Sequence, residues 1–415
     1  MEDQIRNSFE SNLKNLSFSE EEKKFKQNNL DQFLKQGFPS KRLENWKFSD
    51  LKQIIKSNIG ELNYHNDFSK KKQNDKINLI DDIEHNKVII IDGKVETIDF
   101  NYEEKANIKI LADQTPTIEL KSINSLINLN NAFANRSLKL VIKKDYLFKK
   151  PLIIYHSINK NTELKNINSR IDFHLEENSC LKVIDVFNET SEKNFTNIYY
   201  NFLLDKNSIL KNFKIDVSEN NNIKYSFNNI TQQANSISES FVLSKGSKFL
   251  KNEINCDLKG EHASAFVNGI FDLNNDNHHE IKSNINHLVE NTKSYQLVKS
   301  VLDKNSKSVY QGKIFVSPEA QKTDGYQLSN AILLSENSEF NAKPELEIYA
   351  DDVKCSHGSS SGSLDENSIF YLMTRGLSYN EAKKLLINGY LLDVIEKITD
   401  SEIKNLIKNM IGLKE

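Results

Sequence analysis

A cysteine and a histidine stand two residues apart at Cys355-Ser356-His357, the sharpest chemical constellation in the chain. Residues two apart on a β-strand point to one face, so sulfur and imidazole converge if the strand Leu346–Lys354 extends through them. That donor pair suits iron, zinc or an iron–sulfur cluster. Two ligands leave a metal site half built, and the remaining donors must come from another chain or from distant segments. The competing reading is a buried thiol beside a hydrogen-bonded histidine. His278, His279 and His287 do not converge, because the eight residues between His279 and His287 span about 26 Å of strand. They read as structural histidines. Gly358-Ser359-Ser360-Ser361-Gly362 has the spacing of a nucleophile elbow, but no acid–histidine pair follows it. It reads as a turn from the last strand into a helix. The sequence has no Gly-x-x-x-x-Gly-Lys-Ser/Thr loop and no Gly-x-Gly-x-x-Gly after a strand. Nucleotide hydrolysis by a phosphate loop and dinucleotide binding are therefore not expected.

Three zones of different period must position these residues. Residues 1–87 read as a helical domain and its connection. Ser19-Glu20-Glu21-Glu22 is a capping box, Phe25, Leu30, Phe33 and Leu34 form an apolar stripe, and Gly37 with Pro39 ends the helix. Residues 88–353 alternate apolar and polar side chains, as in Leu138-Lys139-Leu140 and Lys211-Asn212-Phe213-Lys214-Ile215, with no convincing amphipathic helix between. A turn-like phrase ending in serine recurs at 179, 208, 247, 306 and 338. Its intervals point to a unit near 30 residues, with a degenerate copy near Asn277. That period suits a β-solenoid whose coils bury their apolar faces on one another. Residues 354–415 turn helical, with a cap at Asp365, a stop at Gly376 and a second capping box at Ser378 and Glu381. The helix that follows carries Leu385, Leu386, Tyr390 and Leu391. It is too apolar for a single buried stripe, so it lies deep in a core or offers a second face to a partner.

Composition narrows the classes further. Of the 415 residues 38% are hydrophobic and 27% charged, with a formal net charge of −3. The mixed charge gives no footprint for nucleic acid, and no apolar run approaches the roughly 20 residues that span a bilayer. Cys180, Cys256 and Cys355 are too few and scattered for a disulfide framework. With no targeting pattern at the start, a cytoplasmic address is the expectation.

Several segments carry a family likeness. Leu346-Glu347-Ile348-Tyr349-Ala350-Asp351-Asp352-Val353-Lys354-Cys355-Ser356-His357-Gly358, followed by Phe370-Tyr371-Leu372-x-x-Arg375-Gly376, resembles the closing signature of the SufB/SufD family, in the form its SufD branch takes. Ala320-Gln321-Lys322-Thr323-Asp324, His278-His279-Glu280 and the run Gly37-Phe38-Pro39-Ser40-Lys41-Arg42 with Glu44-Asn45-Trp46-Lys47-Phe48 are similar to motifs of the same family. The resemblance implies a mainly β fold, a right-handed parallel β-helix between helical N- and C-terminal domains. It implies a non-enzymatic scaffold subunit for iron–sulfur cluster assembly that pairs with a SufB-like subunit and docks a SufC-like ATPase. A homodimer is the matching expectation for the chain alone. No cofactor would be bound stably by the single chain, and an iron–sulfur cluster would form transiently in the complex. His357, with Cys355 beside it, would be the cluster or metal ligands at the SufB interface. Leu385, Leu386, Tyr390 and Leu391 would dock the ATPase. Ser359-Ser360-Ser361 departs from the Ala, Thr and Val common in the family, which counts against a ligand at 359. The alternatives are a SufB-like paralogue, a carbohydrate-active β-helix protein and an adhesin-like structural solenoid.

Overall fold

The computed structural model describes residues 2–15, 18–64, 77–112, 124–134 and 137–413. Three helices come first, α1 (Glu2–Asn15), α2 (Glu20–Gln36) and α3 (Leu51–Asn58). The predicted capping box forms: Ser19 Oγ accepts from the Glu22 amide at 3.2 Å, and Glu22 Oε2 from the Ser19 amide at 2.7 Å. Helix α2 stops at Gly37, whose φ of +69° favours a residue without Cβ. Its buried stripe holds Leu30 and Phe33 together with Lys26, while Phe25 and Leu34 lie at the margins.

The body begins with β1 (Asn63–Tyr64), β2 (Asn86–Ile91), β3 (Lys94–Asp99), β4 (Ile108–Ala112), helix α4 (Ser125–Phe133) and β5 (Leu138–Ile142). Helix α4 corrects the expectation of unbroken strands. Every residue in it is buried, between α2 and the outer faces of the strands that follow. A helix covered all round has no polar face, so its sequence shows no amphipathic period. Its asparagines bond the layers on either side: Asn130 Nδ2 donates to the carbonyls of Ser169 and Asn197 at 2.9 and 2.8 Å, while Asn128 and Asn131 donate to Gln36 and Asn29 of α2 at 2.9 and 3.1 Å. Lys26 of α2 closes its C-terminus, donating to the Ala134 carbonyl at 2.6 Å, where a cation opposes the helix dipole.

Fifteen further strands complete the body: β6 (Leu152–Ile158), β7 (Lys165–Leu175), β8 (Cys180–Glu189), β9 (Phe195–Leu204), β10 (Ile209–Asp216), β11 (Ile223–Gln232), β12 (Ile237–Ser244), β13 (Phe249–Leu258), β14 (Ser264–Leu273), β15 (His278–His287), β16 (Lys293–Leu302), β17 (Lys307–Val316), β18 (Asp324–Leu333), β19 (Glu339–Ile348) and β20 (Lys354–Gly362). Even-numbered strands from β6 pair in parallel into one sheet, and odd-numbered strands from β5 into the other. This is a β-solenoid, as expected. From β8 onward each strand meets its neighbour after 26 residues (Ile223 to Phe249) to 32 (Lys307 to Glu339). The serine phrase has that unit but mixes two corners: Ser179 and Ser208 precede even strands, while Ser247, Ser306 and Ser338 precede odd ones. Asn277, directly before β15, fills the gap in the second series. The first corner shows its period in backbone geometry. Asn178, Asn207, Asn235, His262, Asn291 and Lys322 each stand two residues before a strand with φ between +57° and +62°. Asparagine tolerates that left-handed conformation better than most residues, and Asn207 Nδ2 also bonds Asn178 Oδ1 at 2.8 Å across successive coils.

The chain does not turn helical at 354. Strand β19 ends at Ile348, the chain rounds a corner, and β20 adds one more strand on which Cys355 and His357 both lie. Gly358–Gly362, read as a turn, is the second half of that strand, held by in-register pairing with β18. Helices α5 (Glu366–Thr374), α6 (Tyr379–Ile395) and α7 (Ser401–Met410) follow, with Asp365 and the Ser378–Glu381 capping box at their starts. Helices α6 and α7 lie on the outer face of the even sheet. There Leu391, Val394, Ile395, Ile403, Leu406 and Ile407 pack on Tyr155, Ile184, Phe213, Phe241 and Val301. No helix among the described residues is long and apolar enough to cross a membrane.

Candidate functional site

The solenoid positions the cysteine–histidine pair through its register. Leu181, Leu210, Ser238, Ala265, Ser294, Gly325 and Cys355 are successive partners on one inward-facing row of the even sheet. The next inward row runs Val183, Asn212, Ser240, Val267, Gln296, Gln327 and His357. Cys355 and His357 therefore end two interior rows. Among the described residues β20 has only β18 beside it and β19 only β17, so no further described coil covers them. Cys355 is half-buried against Ile314, Val316 and Ala320, and a Cβ at Gly325 would lie 3.5 Å from its Sγ. Partial burial raises the thiol pKa above its usual value, which favours the protonated form until a metal or a cationic partner arrives. His357 is exposed.

Histidines in covered coils contrast with it. His279 is fully buried, its Nδ1 2.7 Å from Ser244 Oγ and its Nε2 2.6 Å from the Ser247 carbonyl. His287 lies 2.7 Å from Thr292 Oγ1 and 2.9 Å from Ser294 Oγ. Burial lowers both pKa values to about 4, so both are neutral and structural, as their spacing predicted. His278 pairs with Glu280 at 2.8 Å on the outer face. Cys256 is buried with Sγ 3.1 Å from Gln232 Oε1, and burial also raises the pKa of Cys180. Among the described residues no three His, Cys, Asp or Glu side chains gather as a metal site. Cys355 and His357 are neighbouring donors on the last strand, and no third described donor joins them.

The terminal helices divide the four predicted docking residues. Leu391 is 3% exposed and belongs to the contact between α6 and the sheet. Tyr390 is half-buried over Lys299, whose Nζ sits 4.3 Å from the ring centroid and donates to the Tyr390 carbonyl. Leu386 is half-buried, and Leu385 is 51% exposed. Leu391 therefore holds α6 to its own chain and is not free for a partner: an even spread of apolar residues does not say which side meets the sheet. The sequence reading missed Phe370, Tyr371 and Met373 of α5 as surface residues, all solvent-exposed with Tyr379 nearby in the chain. Five apolar residues in succession, Ile369 to Met373, were the available signal, since only Ile369 is buried.

Comparison with known proteins decides the family. The family model described as SUF system FeS cluster assembly, SufBD core domain, matches residues 156–390. The chain belongs to the SufB/SufD family. The match runs from β6 into α6 and contains Cys355, His357 and Leu385. The chain is 25% identical over 397 residues to the iron-sulfur cluster assembly protein SufD of Escherichia coli, covering 93% of this chain and 91% of that protein. It is 40% identical over 81 residues to protein ABCI7, chloroplastic, of Arabidopsis thaliana, covering 20% of this chain and 17% of the relative. A third relative, SufD of Bacillus subtilis, is 35% identical over 86 residues, covering 21% and 20%. The motifs identified in the sequence thus belong to an iron–sulfur cluster assembly protein of the SUF system.

Proposed function

We propose that this chain is a non-enzymatic SufD-type scaffold subunit whose open last coil pairs with a SufB-like subunit to complete a cluster-assembly site. The observation that carries the reading is the placement of His357 and Cys355 on inward rows of a coil with a neighbour on one side alone among the described residues. Edge strands with unpaired N–H and C=O groups are templates for pairing with another chain. A partner coil there would cover both side chains and supply the ligands that one chain lacks. The nascent cluster is the cargo of that site. His357 offers a nitrogen ligand to iron or orients a cluster sulfur, and Cys355 is a weaker contributor while its thiol stays protonated. The full-length similarity to a protein named SufD favours this role over that of a SufB-like paralogue.

In this reading a SufC-like ATPase docks on the terminal helices, since the chain has no phosphate loop of its own. The exposed apolar side chains Phe370, Tyr371 and Met373 of α5 and Leu385 of α6 offer the apolar contact, rather than the buried Leu391. Contiguous exposed apolar side chains mark interaction surfaces more often than chance.

The test is His357→Ala, with thermal stability, complex formation and iron and sulfide content each measured. Unchanged stability and complex with lost cluster is the expected result. Normal cluster content would refute the site. A loss of stability with assembly reduced in proportion would make the histidine structural.

A further inference from the structure

The outer faces of β13 and β15 carry two pairs of opposite charges in crossed order. Lys251 stands opposite Glu280 and, two residues on, Glu253 stands opposite Lys282. The first pair is closed. Lys251 Nζ lies 2.6 Å from Glu280 Oε2, donates to the Asn45 carbonyl at 2.7 Å and sits 4.3 Å from the ring centroid of Trp46. Both side chains are fully buried beneath the turn Glu44–Trp46. The second pair is left open. Lys282 Nζ and Glu253 Oε2 are 3.6 Å apart, too far for a hydrogen bond. Glu253 is 4% exposed, and its other oxygen, Oε1, has no hydrogen-bond partner among the described residues. A buried carboxylate is costly unless donors surround it, so this one calls for a partner.

Glu253 and Lys282 line a cleft of about 460 Å³ between the odd-numbered sheet and the N-terminal segment. Its size is that of a small-molecule site. Trp46, Phe227 and the largely exposed Leu43 supply apolar wall. Ser125, whose buried Oγ also has no partner among the described residues, lines it as well.

A ligand that completes the open pair brings a positive group to Glu253 and a negative group to Lys282, as close together as the pair itself. A simple ion supplies one of these charges and leaves the other unmatched. In an α-amino acid the ammonium and the carboxylate are joined through a single carbon, which also carries a side chain for the apolar wall. We propose that this cleft binds a free α-amino acid with an apolar side chain. Glu253 accepts from the ammonium, Lys282 pairs with the carboxylate, and Trp46, Phe227 and Leu43 take the side chain. The site lies on the sheet opposite Cys355 and His357 and does not depend on the role of either.

Trp46 is the only tryptophan of the chain, so its fluorescence reads the cleft directly. L-leucine is titrated into the full chain, beside 3-methylbutylamine, which lacks the carboxylate, and 4-methylpentanoate, which lacks the amine. L-leucine is expected to give a saturable change below about 10 mM. Each single-charge analogue should bind about tenfold more weakly, because it leaves one charge of the pair without its partner. Glu253→Gln and Lys282→Met should each weaken L-leucine by about tenfold with the thermal melt preserved. Saturation-transfer NMR on the leucine methyl groups repeats the titration without the fluorophore and should give the same affinity. No saturable response to L-leucine by either method would overturn the inference, as would equal binding of either analogue. Unchanged affinity in the two variants would make the binding adventitious and overturn it too. If Glu253→Gln fails to fold, Lys282→Met decides by the same readings.

Discussion

The middle coils and the last coil share one backbone plan and differ in what covers them. Ile285 of β15 and Leu346 of β19 both face inward, yet Ile285 is fully buried with coils on both sides, while Leu346 is half-buried with a coil on one. His279 and His357 repeat the contrast: the first is walled in by Ser244 and Ser247, the second exposed. The first end of the solenoid is finished differently again. There β3 and β4 are only six and five residues long, run antiparallel to their neighbours, and β3 is laced by Lys87–Asp99 and Lys94–Glu96 ion pairs. Short, charged edges resist pairing. Strands β19 and β20 keep nearly the full length of the middle strands, and the serine- and glycine-rich β20 has little charge to deter a partner. At the last end only β20 offers a long edge with little charge, because β19 carries Glu339, Lys343, Pro344, Glu345 and Glu347 with ion pairs of its own.

The largest effect should separate covered from uncovered residues on α6. Leu391→Asp buries an unpaired carboxylate against the sheet and should cost about 4 kcal/mol, read by chemical denaturation. Leu385→Asp should leave stability unchanged and weaken capture of the ATPase in a pull-down. Equal losses of stability would break the distinction. Next, Ile285→Ala should cost about 3 kcal/mol through lost burial and a cavity that flanking coils prevent from collapsing. Leu346→Ala should cost well under half of that in the isolated chain, and more once a partner covers the last coil.

A third effect is acid sensitivity confined to covered coils. His279 and His287 bind a proton near pH 6.5 when unfolded and only near pH 4 when folded. The unfolded state binds more protons in that window, so stability falls as pH drops from about 6.5 to 4, by roughly 3 kcal/mol for each histidine. Substituting both with Gln should flatten that part of the pH–stability curve. A series of thermal melts would show it.

Much of this was legible in the chain. Two-residue alternation marked the strands and their inward faces, and so placed Cys355 and His357 on one side before any coil was seen. The caps at Ser19, Asp365 and Ser378 were local chemistry and appear as read. Part of the asparagine content, open to reading as mere compositional bias, has a structural use. Asn201, Asn229, Asn255 and Asn284 form an outer ladder with Nδ2–Oδ1 distances of 2.9 to 3.1 Å.

Period, turn chemistry and capping depend on neighbours within a few residues, and these the sequence determined by itself. Tertiary structure alone decided whatever depends on what lies above a side chain. It sorted one serine phrase into two corners and hid α4 by burying every face of it. It turned Leu391 inward and Leu385 outward, and it left β19 and β20 each with a neighbour on one side. Burial and pairing are set by contacts between residues some 30 positions apart or more, across coils whose register no local pattern records. For that reason the cysteine–histidine pair was visible in the sequence, and its place on the uncovered last coil was not.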